Sequence, residues 1–262
     1  MGLVPIGKIF LTAKKTGQHA EVMYSQDYSA LVVANNPAVK STGSNAVWEM
    51  YGNAGSTGQV AFKNGNCFAS GRFGDWYGKL QVQAPGSADW ITRAQGDETC
   101  TLYPLGMGDF AIHNPMYNAF VSVRFDEPDG RAGNGYPLSL KKNMNFFGGS
   151  VSGGTPVTAV GEFETFSGFF GGAQDCKIVM KAAANNPDRH RFGGYNHYSG
   201  CDLSEFDFSG MDLSNYDFTN ANLQHSDFRN ASSLDGIRLA GANVSGAHFP
   251  SDFDVQAHMK NG

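Results

Sequence analysis

The chain has 262 residues, enough for one large or two small domains with true apolar cores. Apolar residues make up 41% of it but charged residues only 16%, and 34 glycines with frequent Asn and Ser imply many turns, a balance that favours an all-β protein over a helical one. The net charge is −5 and Lys/Arg never cluster beyond adjacent pairs, so a nucleic-acid backbone has no basic track to follow.

The N-terminus, "MGLVPIGKIFLTAKK", lacks a basic start followed by a long apolar run, so no classical secretion signal is expected. No run of about 18 apolar residues is present to span a membrane. Ile6 stands where myristoylation needs Ser or Thr. The expected protein is soluble, either cytoplasmic or released by a non-classical route.

Residues 1–170 repeat weakly, with a period of about 50 residues. The first copy holds "IFLTAKKTGQHAEV", "SALVVAN" and "AVWEMYGN". The second holds "QVAFKNGNCFASG", "KLQVQA" and "CTLYPLG", and the third "DFAIHNPMYNAFVSV", "PLSLKKN" and "EFETFSGF". Each offers a hairpin, a third strand and a closing aromatic strand. Leu138 and Leu140 alternating with Ser139 and Lys141 is the signature of a half-buried strand. Three copies of four short strands predict a barrel closed by a triangular hairpin cap, the β-trefoil. The segments "VAFKNGNCFASG", "LQVQA" and "AVWEMYGN" resemble fascin-like, actin-crosslinking-type β-trefoil repeats. Trp48, Glu49 and Tyr51 match that family's closing motif; Phe163, Glu164 and Phe166 echo it with Phe for Trp, and "CTLYPL" departs from it. The third copy also carries "DEPDGRAGNG", read as an inserted exposed loop.

Residues 171–195 form a connector with one expected helix, about Lys177 to Ala184, ended by "NNP" because proline disfavours helix in the residue before it. From 196 to 250 an apolar residue returns every five positions: Leu203, Phe208, Leu213, Phe218, Leu223 and Phe228. After a six-residue step at "ASSLDG" the row continues through Leu234, Leu239, Val244 and Phe249, and Tyr198 extends it backwards. A period of five fits neither helix nor strand. The pattern resembles the pentapeptide-repeat family, A-(D/N)-(L/F)-x-x. That resemblance implies a right-handed quadrilateral β-helix, four pentapeptides to a coil, with the central residue and the one two before it pointing inward. Cys201, Ser226, Ala242 and Ala247 are small at that second inward position, whereas Phe206, Met211 and Tyr216 are not. Those three are the expected interface residues: they either widen the first coil or pack against the connector, the trefoil or another protein. Residues 251–262 are read as a C-terminal tail.

Aspartates 202, 207, 212, 217 and 227 precede the central residue and are expected to face water. From 196 onward nine acidic side chains oppose three basic ones. Solvation of an apolar solenoid is the simple account. Some pentapeptide proteins mimic DNA against topoisomerases, and a gyrase-type mimic is the sharper alternative.

Chemistry is sparse. No GxSxG elbow, HExxH, P-loop or dinucleotide fingerprint occurs, so no catalytic residue, cofactor or metal is expected. Cys67, Cys100, Cys176 and Cys201 form no CxxC and no zinc spacing; they read as reduced, buried fillers, with a Cys67–Cys100 disulfide the alternative. His190 and His197 have no acidic or thiol partner at matching spacing. Asn230 and Asn243 match glycosylation acceptors, which matter only in a secreted chain. Trefoils bind sugars on an aromatic platform with a few polar groups, because sugar C–H faces are apolar while hydroxyls need hydrogen bonds. "RFGDWYGK" supplies Asp75, Trp76 and Tyr77, and "SADWIT" supplies Asp89 and Trp90. The competing role for Trp76 is to cap the barrel floor.

The expected function is therefore non-enzymatic recognition: a lectin-like trefoil that binds a glycan or a protein surface, in a setting such as a toxin or insecticidal protein. A self-assembling structural protein, a homo-oligomer built through stackable solenoid ends, is the alternative. Actin binding follows from the fascin resemblance alone.

Overall fold

The structure is a computed structural model that describes residues 3–14, 18–24, 29–34, 46–52, 58–65, 67–70, 81–83, 98–116, 119–123, 136–141, 166–170, 173–174, 176–183 and 196–260. The loop 126–135 read as an insertion lies outside them.

The first repeat folds as β1 (Val4–Ala13), β2 (Gln18–His19), β3 (Glu21–Tyr24), β4 (Ser29–Ala34) and β5 (Val47–Gly52). The second gives β6 (Gln59–Asn64), β7 (Cys67–Ser70), β8 (Gln81–Gln83) and β9 (Cys100–Gly106). The third gives β10 (Asp109–Asn114), β11 (Ala119–Val123), β12 (Tyr136–Lys141) and β13 (Phe166–Phe170), followed by β14 (Ala173–Gln174). Antiparallel pairing runs from β1 to β5, β6, β9, β10, β13 and back to β1, which closes a barrel. The hairpins β3–β4, β7–β8 and β11–β12 are joined through β4, which pairs with both β8 and β12. A six-stranded barrel capped by three hairpins is a β-trefoil, and closure removes the open sheet edges that invite aggregation.

Alternation in sequence becomes inside and outside in the barrel. In β1, Ile9, Leu11 and Ala13 are buried while their neighbours are partly exposed; in β5, Trp48 and Met50 face inward. Val60, Phe62, Leu102, Phe110 and Ile112 complete that core. Trp48 Nε1 donates to the Ala20 carbonyl at 2.8 Å, which satisfies the one polar atom of a fully buried side chain. On the outer face Lys63 donates to the Tyr51 hydroxyl at 3.3 Å and lies 3.9 Å from Glu49, so two residues of the closing motif join a polar cross-strand cluster while Trp48 packs inside.

Helix α1 (Cys176–Ala183) falls within one residue of expectation. It buries Cys176, Val179, Met180, Ala182 and Ala183 against β1, β5, β6, β9 and β13. The approach is close: a Cβ on Gly7 would stand 2.5 Å from Ile178 Cδ1. Gly7 is near the start of β1, the strand whose far end leads into the cap, so α1 covers the barrel end opposite the hairpins.

From residue 196 the chain winds as a β-helix. β15 (Asn196–His197) and β16 (Tyr216–Asp217) pair in parallel, and isolated bridges link Asp202 to Asn222, Asp207 to Asp227, Asp217 to Arg238 and Asn222 to Asn243. The register between coils shifts from 20 to 21 residues once Ser233 is reached, so the extra residue of "ASSLDG" is taken up beside Asn230. Each corner is a turn in which the residue three past the central position donates to it, as from Cys201 to Tyr198 and from Ala221 to Phe218. The corner residues Gly200, Glu205, Gly210, Asn215, Asn220, His225, Gly236, Gly241 and Gly246 all have φ between 57° and 74°. A left-handed residue at that place marks a type II turn. Asn230 is not among the positive-φ residues, and that is the corner where the bulge enters.

The 251–262 tail holds a second helix, α2 (Val255–Lys260), which the sequence reading missed. Asp254 Oδ1 caps it by accepting from the Ala257 N–H at 3.1 Å. The helix closes the last coil: Leu239 N–H donates to the His258 carbonyl at 3.3 Å, and the His258 ring hydrogen-bonds the Ile237 carbonyl at 2.9 Å.

Candidate functional site

Asp75, Trp76 and Tyr77 fall in the chain between β7 and β8, and Asp89 and Trp90 between β8 and β9; all five lie outside the described residues. His190 does as well. Phe206, Met211 and Tyr216 are among the described residues and lie in the first coil, next to the seam where β15 pairs with β9 and Lys181 of α1 stands over Phe206.

The seam begins at the turn between β9 and β10. Gly106, Met107 and Gly108 all have positive φ, and this tight turn sets the Met107 N–H 2.7 Å from the Ser199 carbonyl. A Cβ on Gly106 would stand 2.8 Å from Ser199 Oγ, so glycine is needed for the approach. His197 pairs in parallel with Leu105 on one side and with Asp217 on the other. The barrel ladder thus continues directly into the solenoid. His197 Nδ1 lies 3.6 Å from Asp217 Oδ2. Burial by itself raises the Asp217 carboxyl, but hydrogen bonds from His197 and Thr219 outweigh it and hold the group at about 2.

Behind this ladder lies the bulky row. Tyr216 is fully buried and stacks on Tyr198, with centroids 5.6 Å apart and planes 3° apart. Phe206 is 5% exposed, packs on Phe208, and carries Lys181 of α1 6.0 Å above its ring. Met211 is half-buried against the same core. The Tyr198 hydroxyl is buried and has no hydrogen-bond partner among the described residues, and burial, with Tyr216, Cys201 and Cys176 beside it, pushes its ionisation well above the ordinary range.

Cys100, Cys176 and Cys201 are buried and none of them is in a disulfide. The Cys67–Cys100 disulfide is therefore not formed. Cys100 lies on the barrel strand β9, where burial and then Glu98 push its thiol up to about 12. The Cys176 side chain and burial both raise the Cys201 thiol.

The acidic row has a role the sequence reading did not assign. Asp202, Asp207, Asp212, Asp217 and Asp227 each accept the backbone N–H two residues on, at 2.9 to 3.1 Å, and Asn222 and Asn243 do the same at 3.2 Å. These are Asx turns, and the signal was present in the Asp-x-Ser/Thr spacing at Asp202, Asp207, Asp212 and Asp217. The Ser204 N–H lowers the Asp202 carboxyl, and hydrogen bonds from Ser209 lower Asp207. Arg229, gripping Asp227 through Nε and Nη2, holds that carboxyl at about 2.

These features define an all-β protein in which a β-trefoil carries a short quadrilateral β-helix. Residues 199–232 match the family described as pentapeptide repeats, in eight copies. No curated protein matches the chain. Among solved structures it is similar to the designed three-fold symmetric protein ThreeFoil, at 15% identity over 53% of this chain and 92% of that one, with a TM-score of 0.40. It is also similar to SeviL bound to asialo-GM1 saccharide (13%, 63% and 98%, TM-score 0.38). The Polyporus squamosus lectin bound to a human-type influenza-binding epitope is a third (11%, 63% and 49%, TM-score 0.40). The trefoil assignment rests on the strand pairing above.

Proposed function

We propose that the chain is a non-enzymatic recognition protein, a lectin-like trefoil that meets a glycan or a cell-surface partner at its hairpin-cap end and is braced by the solenoid at the other. The supporting observation is the asymmetry of the barrel. The end opposite the cap is occupied by α1 and by β15, through the pairing of His197 with Leu105. The segment containing Asp75, Trp76 and Tyr77 belongs by sequence to the cap hairpin β7–β8. An aromatic ring beside a carboxylate suits a sugar, stacking on its C–H face and accepting from its hydroxyls. Asp89 and Trp90 are the second platform.

The other readings have less support. Self-assembly through solenoid ends is opposed by α2, which covers the last coil. DNA mimicry needs a long acidic surface, whereas this solenoid is short and Arg229 offsets the charge of Asp227 in its row. Actin binding rests on the fascin-like motif alone, and two of its residues, Trp48 and Tyr51, are employed in barrel packing and the Lys63 cluster. A glycan array tests the proposal. Wild-type protein should bind a defined sugar class and Trp76→Ala should lose on the order of 10-fold or more in affinity. An array without hits, with Trp76→Ala behaving as wild type in cell-surface binding, would remove the lectin reading.

A further inference from the structure

We propose that the outer wall of the barrel carries a second binding site, at Lys8, Glu49, Tyr51 and Lys63, for an acidic sugar, one that bears a carboxylate or sulfate beside free hydroxyls. The site is separate from the cap segment and goes beyond the reading above. Strand register locates it. Lys8 of β1 faces Glu49 of β5, Glu49 faces Lys63 of β6, and Lys63 faces Phe68 of β7, a four-residue row across the wall. The same pairing gives two equivalent rows. One runs Gln59, Thr101, His113, Phe120 through β6, β9, β10 and β11. The other runs Asp109, Ser167, Thr12, His19 through β10, β13, β1 and β2. The three rows occupy the same place in the three repeats, so side chains that differ between them are not dictated by the barrel geometry they share.

The second row is closed: Thr101, His113 and Phe120 are all buried, with the His113 and Phe120 rings 4.5 Å apart. The third is engaged in internal pairs, Thr12 Oγ1 with His19 Nδ1 at 2.9 Å and Asp109 with Lys14 at 3.0 Å. Of the three, the first row alone carries lysine. Lys8 is exposed, and the side chains of Glu49 and Lys63 are 30% and 16% accessible. Two ammoniums and one carboxylate leave a local charge of +1 on a chain whose net charge is −5. Tyr51 lies two residues along β5 on the same face. It accepts from Lys63 at 3.3 Å, donates to Glu49 Oε2 at 3.1 Å, and packs edge-on to Phe68 with centroids 5.2 Å apart. These contacts hold the Glu49 and Lys63 heads in place before a ligand arrives, which lowers the ordering cost of binding. Lys8 and Lys63 are two strand spacings apart, roughly 10 Å, and their flexible stems can converge on one anionic group. Glu49 can only accept, so it suits the hydroxyls beside that group. A neutral sugar would leave the ammoniums without an anion, and an anion without hydroxyls would leave Glu49 opposing it.

The test titrates the full chain by calorimetry at low salt with three probes: a heparin-derived oligosaccharide, which is sulfated, an oligogalacturonate, which is carboxylated, and neutral dextran. The proposal predicts binding of at least one acidic probe, no binding of dextran, and an affinity that falls as salt is added. Which acidic probe binds tells whether sulfate or carboxylate is the group recognised. Lys8→Gln and Lys63→Gln should each lose on the order of 10-fold in affinity, the worth of a hydrogen bond to a charged group. Lys14→Gln, which removes an equal charge elsewhere on the barrel, should bind as wild type does. Should Lys63→Gln fail to fold, Lys8→Gln at the exposed end of the row decides. Equal losses in all three lysine variants would reveal attraction to charge in general and overturn the proposal, as would binding of neither acidic probe. Binding lost in Trp76→Ala but retained in both row variants would put the sugar at the cap, overturning the wall site and leaving the cap reading intact.

Discussion

At the scale of single residues, the solenoid is governed by its corners. Non-glycine residues pay conformational strain in the left-handed region, roughly 1–2 kcal/mol each. Glu205, with φ 57° and an exposed side chain, carries that strain, and the corner one coil on is His225 rather than a glycine. Glu205→Gly should therefore stabilise the protein by about 1 kcal/mol in chemical denaturation, less the entropy that glycine adds to the unfolded chain. The converse holds one coil on. A Cβ at Gly241 would drive into Asn220 Oδ1, and one at Gly236 would stand 2.6 Å from Asn215 Oδ1, so large corner residues are seated beneath glycines. Gly241→Ala should cost about 2 kcal/mol from backbone strain and displacement of Asn220. Acid sensitivity belongs at this scale too. Asp217 sits at about 2 in the folded chain against an ordinary 3.8, so the unfolded state takes up its proton first on acidification. The stabilisation is present above about pH 4 and is lost as pH falls toward 2. Asp217→Asn should lower stability at neutral pH and flatten the decline between pH 4 and 2; an unchanged acid limb would show that the pairing with His197 contributes nothing. The sequence revealed the aspartate row but not its work, because an outward-facing carboxylate reads the same whether it meets water or the N–H two residues ahead.

At the scale of elements, the period of five was legible because one inward residue per side is a strict steric requirement. The aromatic column Phe208, Phe228 and Phe249 follows from it, and Phe253 of the tail extends it, with centroids 4.3, 4.6 and 5.3 Å apart in turn. Phe228, at its centre and fully buried, should cost about 3–5 kcal/mol on truncation to alanine, measured by equilibrium unfolding. The strand order of the barrel was legible in the three imperfect repeats, and α1 in its apolar spacing ahead of "NNP". Helix α2 was not: six residues with no fully buried side chain carry almost no periodic signal, and only the Asp254 cap announces it. Its value lies in what it covers. Deleting residues 255–262 should uncover Phe249 and Phe253 and raise the apparent mass by light scattering as concentration increases; a truncated chain that stays at the size of the intact one would deny α2 its capping role.

At the scale of the molecule, two architectures with different periodicities share one interior. The apolar cluster runs without a break from Ile9 and Trp48 in the barrel through Val179 and Met180 in α1 to Tyr198, Phe206 and Tyr216 in the solenoid. The bulky residues of the first coil stand out in the sequence, but the partners across the seam do not. Gly106, Ser199, Cys176 and Lys181 come from distant places in the chain, and no local pattern joins them. The central claim is that trefoil and solenoid form one cooperative unit which braces the barrel from below. Differential scanning calorimetry of the intact chain tests it most directly. A single transition with equal calorimetric and van't Hoff enthalpies is the predicted result. Two resolved transitions, with the solenoid surviving or melting apart from the barrel, would contradict it.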